Sequence, residues 1–94
     1  MEEELIAEHI PLRLAPNPFS NQTTISYYLA EASPVVLSIY DLAGAEVDRL
    51  LNGTTMAQGQ HQIEYHPTMT QGGIYFIVLR SAQGIETQRL VLVK

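Results

Sequence analysis

The sequence predicts an all-β domain, an antiparallel β-sandwich. From Pro11 onward, apolar residues alternate with polar residues in short runs, and turn residues interrupt the runs at a spacing of roughly 8 to 12 residues, as in sandwiches. A chain of 94 residues has the size at which two sheets close over one core. The chain contains no Cys and no Trp, so this core has to be held by packing without disulfides.

The alternating runs define about seven strands, the number found in an immunoglobulin-like sandwich. We predict these strands at Pro11–Ala15, Thr24–Leu29, Val35–Asp41, Glu46–Leu51, Gln60–Tyr65, Ile74–Arg80 and Glu86–Val93.

Turn residues separate these runs. Glu31-Ala32-Ser33-Pro34 ends a strand because Pro34 lacks an N–H, and Asp41–Gly44 combines a turn-favouring Asp with a Gly. Asn52-Gly53 is a short hairpin signal, and Ser81–Gly84 predicts a hairpin between the last two strands. The last two strands should therefore pair antiparallel.

Alternation also predicts which side chains face the core. We expect the inward residues of three strands to be Val35, Leu37 and Ile39, then His61, Ile63 and Tyr65, then Tyr75, Ile77 and Leu79. The run Ile74 to Leu79 is apolar at every position, which is typical of a strand covered on both faces or of one whose outer face meets a partner.

The first ten residues differ from the rest. Met1–Ile10 contains four of the ten acidic residues and is interpreted as an acidic linker or leader, followed by the domain at residues 11–94. The remaining six acids and five bases nearly cancel. Nucleic-acid binding is not expected from so few cations, and no apolar run approaches the roughly 20 residues that cross a bilayer, so membrane insertion is not expected either.

The sequence offers no strong signal for catalysis, a metal or a cofactor. His61 and His66 are five positions apart, which places them on opposite faces of a strand, and no Ser lies in a nucleophile-elbow motif. Asp41, Glu46 and Asp48 are interpreted as solvated turn acids. We therefore expect a non-enzymatic domain.

Several short motifs occur in a characteristic order. They are Pro16-Asn17-Pro18-Phe19, a Thr-Thr-Ile strand, Val35 to Val47 with its Tyr-Asp-Leu-Ala-Gly turn, Gly59 to Ile63, Gly72 to Phe76, and a closing Lys94. In this order the chain resembles the C-terminal sorting domain of the type IX secretion (Por) system, over about Leu14 to Lys94.

This resemblance implies a sorting signal at the end of a larger exported protein. The type IX secretion machinery would recognise it in the periplasm of a gram-negative bacterium, and the N-terminally fused cargo would reach the cell surface or the medium. A sortase-like peptidase would then remove the domain in the region Met1–Leu12. The family motifs fall on Pro16, Asn17, Pro18 and Phe19, on Gly73 and Tyr75, and on the final residues Arg89, Leu90, Val91, Leu92, Val93 and Lys94.

The chemistry of these residues is compatible with that role. Pro16 and Pro18 fix φ and lack N–H donors, so the entry to the domain cannot extend a continuous ladder. Gly73-Ile74-Tyr75 is similar to a tyrosine corner, whose phenol bonds to the backbone. A receptor for many cargoes should recognise shape or a strand edge, and Leu90–Lys94 is our candidate recognition element.

Three alternatives remain open at this point. The tyrosines and the small sandwich are compatible with a carbohydrate-binding or adhesive module of a secreted protein. The Asn-Pro-Phe and Tyr-Asp-x-x-Gly segments are also similar to the immunoglobulin-like module of flagellar-hook-capping proteins, which would make the domain a structural spacer. An exposed edge strand can, in addition, pair with its own copy.

Overall fold

The computed structural model of the chain describes residues 12–94, which form seven β-strands and no helix. The strands are β1 Leu12–Ala15, β2 Thr23–Leu29, β3 Ser33–Tyr40, β4 Glu46–Met56, β5 Gly59–Tyr65, β6 Gly73–Ser81 and β7 Gly84–Leu92. Met1–Ile10 and the predicted start at Pro11 lie outside the described residues. Within that described part, no helix is long and apolar enough to cross a membrane.

The strands form two antiparallel sheets, which confirms the predicted sandwich. One sheet has three strands in the order β1-β2-β5, and the other has four in the order β4-β3-β6-β7. β1 and β7 contact each other at one side of the sandwich. The first and last strands of the described chain are therefore neighbours in space.

The core of the four-stranded sheet has the predicted residues. Val35, Leu37 and Ile39 are fully buried, and the inward residues of β6, Tyr75, Ile77 and Leu79, are buried as well. Leu90 and Leu92 complete this layer from β7. Period-two alternation predicted these positions correctly because each strand has one face against the core.

The three-stranded sheet supplies the opposite half of the core. Its fully or nearly fully buried residues are Leu12, Ile25, Tyr27 and Leu29. Of the inward residues predicted in β5, Tyr65 is buried, whereas His61 and Ile63 are half-buried at the sandwich edge. His61 stacks on Tyr27 with ring centroids 5.2 Å apart.

Two predicted turns are confirmed. Asp41 Oδ1 accepts hydrogen bonds from the backbone N–H groups of Ala43 and Ala45, both at 2.9 Å, and Gly44 adopts a φ of 89°. Ser81 pairs with Gly84 across the β6–β7 hairpin, and the two strands are antiparallel.

The predicted hairpin at Asn52-Gly53 is wrong. β4 continues through these residues to Met56, and β5 pairs with β2 in the other sheet. Val36 pairs with Asn52 and Val35 with Thr54, so Gly53 is an extra residue in the ladder. Its φ of 83° forms a bulge, a feature that a glycine permits as readily as it permits a turn.

A hydrogen bond from Tyr65 joins the two sheets. Its hydroxyl donates to Asp48 Oδ2 of β4 at 2.8 Å. Burial, followed by this contact with Asp48, raises the pKa of Tyr65, and burial raises the pKa of Tyr27. Because both folded pKa values lie above the unfolded value, the protonated phenols stabilise the fold below about pH 10, and this contribution declines as the pH rises further.

We therefore predict that the free energy of unfolding falls as the pH is raised from about 8 to about 11, and falls less in Tyr65→Phe, which has one phenol fewer to ionise. At pH 8 the substitution should cost about 1 kcal/mol through the lost hydrogen bond. Urea unfolding followed by circular dichroism measures both effects. Equal losses above pH 10 in the two proteins would show that Tyr65 does not contribute.

A second prediction concerns the end of β7. Leu90→Ala should reduce the free energy of unfolding by about 2 to 5 kcal/mol, because Leu90 is fully buried and truncation of its side chain leaves a cavity in the core. Val93→Ala, in the same segment, should change it by less than about 0.5 kcal/mol because Val93 is 52% exposed. Similar urea midpoints for the two variants would contradict the burial pattern.

Candidate functional site at the proline motif and the last strand

The residues singled out by the sequence converge at one end of the sandwich, although they come from three distant parts of the chain. Residues 16–19 follow β1, residues 72–75 begin β6, and residues 89–94 end β7 and the described chain. We call this region, residues 16–19, 72–75 and 89–94, the junction. Its internal contacts are mainly hydrogen bonds to the backbone of β7.

Asn17 is bound to β7 at two points. Its Oδ1 accepts a hydrogen bond from the Val91 N–H at 2.9 Å, and its Nδ2 donates to the Arg89 carbonyl at 2.8 Å. A side-chain amide offers the same donor and acceptor as a peptide unit, so Asn17 replaces a neighbouring strand at this position. Asn17 thus satisfies part of the outer edge of β7.

Phe19 continues this pairing with its own backbone. The Phe19 N–H donates to the Val91 carbonyl at 3.0 Å, and the Val93 N–H donates to the Phe19 carbonyl at 2.8 Å. This is an isolated parallel bridge between Phe19 and Leu92. The Phe19 ring is buried in the core and lies 6.5 Å from the Tyr65 ring, so side chain and backbone hold the same residue in place.

The two prolines shape the segment around Asn17. Both Ala15–Pro16 and Asn17–Pro18 are cis peptide bonds. The Thr23 hydroxyl, buried at the start of β2, donates to the Pro16 carbonyl at 2.7 Å. Since neither proline has an N–H, the segment needs few hydrogen-bond partners beyond those that Asn17 and Phe19 make.

The start of β6 closes the junction from the other side of β7. Gly73 pairs with Leu92, and Tyr75 pairs with Leu90. The Tyr75 hydroxyl donates to the Gln71 carbonyl at 2.6 Å, which is the backbone bond expected of a tyrosine-corner-like residue. The side chain of Tyr75 therefore anchors the connection that leads into β6.

Gly72 was not predicted as a site residue. A Cβ on Gly72 would lie 3.0 Å from the Leu92 carbonyl oxygen and 3.2 Å from the backbone N of Lys94. The close approach of two backbones explains a glycine here. The Gly72-Gly73 doublet was visible in the sequence, but only the fold shows which of the two meets the last strand.

Most residues of the junction have exposed side chains or backbone. An open groove of about 360 Å³ is lined by residues of the proline segment and by the last strand, namely Pro16, Pro18, Phe19, Ser20, Asn21, Gln22 and Val93. Val93 is 52% exposed at one wall of the groove, and Lys94 is exposed next to it. The groove offers apolar side chains next to polar ones.

The junction consists of apolar residues and glycines together with Asn17, Tyr75, Arg89 and Lys94. Its described residues contain no carboxylate, histidine or cysteine, and no group of three or more His, Cys, Asp or Glu that could hold a metal ion occurs within residues 12–94.

Comparison with known families identifies the domain. The family model described as "Secretion system C-terminal sorting domain" matches residues 13–94, which is nearly the whole chain. The chain belongs to this family of type IX secretion sorting domains. Neither the curated proteins nor the solved structures give a match.

Membership confirms the resemblance drawn from the motifs, and the match includes the whole junction. A type IX sorting domain is a C-terminal signal for secretion, and the family is in general non-catalytic. Membership of this family implies that the domain is part of a secreted or cell-surface protein that is exported across the outer membrane. It also implies an N-terminal cargo and an interaction with the secretion machinery.

We predict that Asn17→Ala reduces the free energy of unfolding by about 1 to 3 kcal/mol, because two hydrogen bonds are lost and two backbone groups of β7 lose their partners. Asn17→Asp should also destabilise, because a carboxylate cannot donate to the Arg89 carbonyl. Asn21→Ala is the matched control, since Asn21 is exposed and makes no hydrogen bond within residues 12–94. Equal urea midpoints for Asn17→Ala and Asn21→Ala would contradict the pairing.

Proposed function

We propose that the type IX secretion machinery recognises the junction as one composite surface. The observation that supports this is the convergence of the proline segment, the start of β6 and the last strand at one end of the sandwich. Pro16, Pro18, Val93 and Lys94 present exposed side chains there, while the residues beneath them are fixed by hydrogen bonds and burial. A rigid surface of this kind loses little entropy on binding.

The proposed mode of recognition differs from simple addition of a strand to β7. Between Arg89 and Val93 the outward backbone groups are already bound by Asn17 and Phe19. A partner that paired with this edge would first have to remove those four hydrogen bonds. We infer that side chains on the surface of the junction are recognised, and that the capped backbone positions them.

The remaining parts of the role follow from the family. We propose that the domain spans residues 11–94, that residues 1–10 are the linker to the cargo, and that a sortase-like peptidase cleaves in the region Met1–Leu12. The partners would be the secretion machinery, this peptidase and the fused cargo. The recognition residues would be Pro16, Asn17, Pro18, Phe19, Gly73, Tyr75, Arg89, Leu90, Val91, Leu92, Val93 and Lys94.

Carbohydrate binding through an aromatic platform has less support. Tyr27, Tyr65 and Tyr75 are buried in the core and cannot stack on a sugar. Tyr28 lies on the three-stranded sheet, and Tyr40 lies on the four-stranded sheet. The exposed aromatic surface is therefore divided between two sheets.

A secretion assay tests the proposal. Residues 1–94 are fused behind a periplasmic reporter in a cell with an active type IX system, and surface delivery is measured. Val93→Asp should lower delivery about tenfold if Val93 is an anchor of the interface, because truncating or charging such an anchor typically costs more than 1 kcal/mol. Ala57→Asp, exposed in the β4–β5 connection at the opposite end, is the matched control.

Deletion of Leu90–Lys94 should abolish delivery, but it also removes buried residues. The point variants are therefore the decisive ones, provided that their thermal midpoints equal that of the unmodified fusion. Delivery of a stable Val93→Asp fusion at the unmodified level would refute recognition at the junction. Mass spectrometry of the delivered reporter should find its new C-terminus within residues 1–12, and an intact fusion would refute removal.

A further inference from the structure

A second surface lies on the outer face of the four-stranded sheet and shares Arg89 and Ile74 with the junction. Cross-strand pairs place three arginines around three half-buried apolar or aromatic side chains on this face. We call it the arginine face, and its residues are Arg49, Arg80, Arg89, Tyr40, Phe76 and Val78.

The register shows how these side chains share one face. Tyr40 lies opposite Phe76, and Phe76 lies opposite Arg89. Ser38 lies between Arg49 and Val78 in the next row. Side chains that are directly opposite on one face of a sheet are neighbours, so the first row places Arg89 beside the two rings and the second row places Arg49 and Val78 on either side of Ser38.

The centre of the arginine face is apolar, although no strand of residues 12–94 covers it. Its central residue Ser38 is fully buried by the side chains around it. Ile74 extends the apolar area with 37% of its surface exposed. This explains why the sequence from Ile74 to Leu79 is apolar on both faces of β6.

Charge is distributed unevenly between this face and the rest of the domain. The face has three arginines and one carboxylate, Glu46. The other described residues contain two cations, Arg13 and Lys94, and five carboxylates. A positive face has therefore formed on a chain whose formal net charge is −5.

Arg80 and Arg89 are available to bind a partner protein, whereas Arg49 is not. Arg49 is held by Glu46, with Nε to Oε2 at 2.6 Å and Nη2 to Oε1 at 3.0 Å, and the pKa of Glu46 is lowered by this contact. Arg80 makes one long contact of 3.4 Å with the Tyr40 hydroxyl. The Arg89 side chain makes no hydrogen bond or ion pair within residues 12–94.

Arg80 and Arg89 have no ion-paired carboxylate within residues 12–94, and their spacing suggests what can bind them. Arg89 is paired with Phe76, which is four residues before Arg80 on β6. At about 3.3 Å per residue, the Cα atoms of Arg80 and Arg89 are separated by about 13 Å along the strand direction. An extended segment with side-chain carboxylates at positions i and i+4 has the same Cα separation, and its side chain at i+2 points the same way, over Phe76 and Val78.

We propose that the arginine face docks an extended acidic segment of a partner protein, with carboxylates on Arg80 and Arg89 and apolar side chains on the central rings. Guanidinium groups bind carboxylates in bidentate fashion, and the half-buried apolar centre adds desolvated contact. This surface is separate from the groove of the junction, and its existence does not depend on the proposed function.

Two other occupants fit the face less well. A second copy related by a two-fold axis would bring two arginine faces together and place like charges opposite one another. A nucleic acid needs several phosphate contacts for useful affinity, and only two cations are free here. The acidic segment is the occupant whose charge and spacing match both free arginines.

The test is a titration of the full chain with the peptide acetyl-Glu-Val-Phe-Val-Glu-amide at low salt, followed by NMR. We expect chemical-shift changes at the side chains of Arg80, Arg89, Phe76 and Val78, with weaker binding as salt is raised. The matched control peptide has Gln in place of both Glu. Equal shifts with the two peptides, or shifts located instead at the groove residues Pro16, Pro18 and Val93, would overturn the proposal.

Variants of the protein complete the test. Arg80→Gln and Arg89→Gln should each weaken binding by up to about fivefold, the range of an exposed ion pair. Arg13→Gln, which removes the exposed arginine of β1, should leave it unchanged. Because Arg80, Arg89 and Arg13 are all exposed, the thermal midpoint should stay constant in all three variants.

Unchanged affinity in Arg80→Gln and Arg89→Gln would overturn the proposal. Shifts of the same side chains on changing protein concentration alone, without peptide, would overturn it in favour of a second copy. Neither outcome affects the secretion assay with Val93→Asp, so failure here is distinguishable from failure of the proposed function.

Discussion

The structure depends on how the outer edge of β7 is closed. β7 is the last strand of the described chain and an edge of the four-stranded sheet, a position where a strand has only one neighbour. Asn17 and Phe19 supply the missing partner with four hydrogen bonds across 72 to 74 positions of sequence. An open edge of this kind favours pairing with other chains. The four hydrogen bonds from Asn17 and Phe19, which we call the cap, prevent such pairing between Arg89 and Val93.

The same cap explains why the motif residues have to occur together. Asn17 works because its amide substitutes for a peptide unit, and the prolines beside it require no partners for their own nitrogens. Phe19 combines this pairing with a buried ring, so the cap cannot move without disturbing the core. On the other side of β7, Gly72 permits the close backbone approach that brings β6 against the final residues.

In the proposed mode of recognition, binding to the secretion machinery and folding stability are coupled at this end of the domain. The exposed groove next to Val93 exists only while the last strand is in place. A receptor that reads this surface therefore detects a folded domain, whatever cargo precedes it. The arginine face lies on the sheet that the same strand completes, so both proposed surfaces depend on β7.

The sequence predicted the strands and their inward residues well, because alternation depends only on one face being buried. Val35, Leu37 and Ile39 illustrate this. Local turn chemistry was less reliable: the same Asn52-Gly53 pair that forms hairpins elsewhere forms a bulge here, since β4 finds its partner in β3. The partners of Asn17 could not be predicted, because a contact between residues 17 and 91 leaves no periodic signal.

Amide hydrogen exchange along β7 tests the central claim most directly. The amides of Ile85, Thr87, Val91 and Val93 all point away from β6, but only Val91 and Val93 have partners within residues 12–94. Val91 and Val93 should therefore exchange only with opening of the domain, whereas Ile85 and Thr87 should exchange rapidly. Equally rapid exchange at all four amides would show that the proline motif does not hold the last strand.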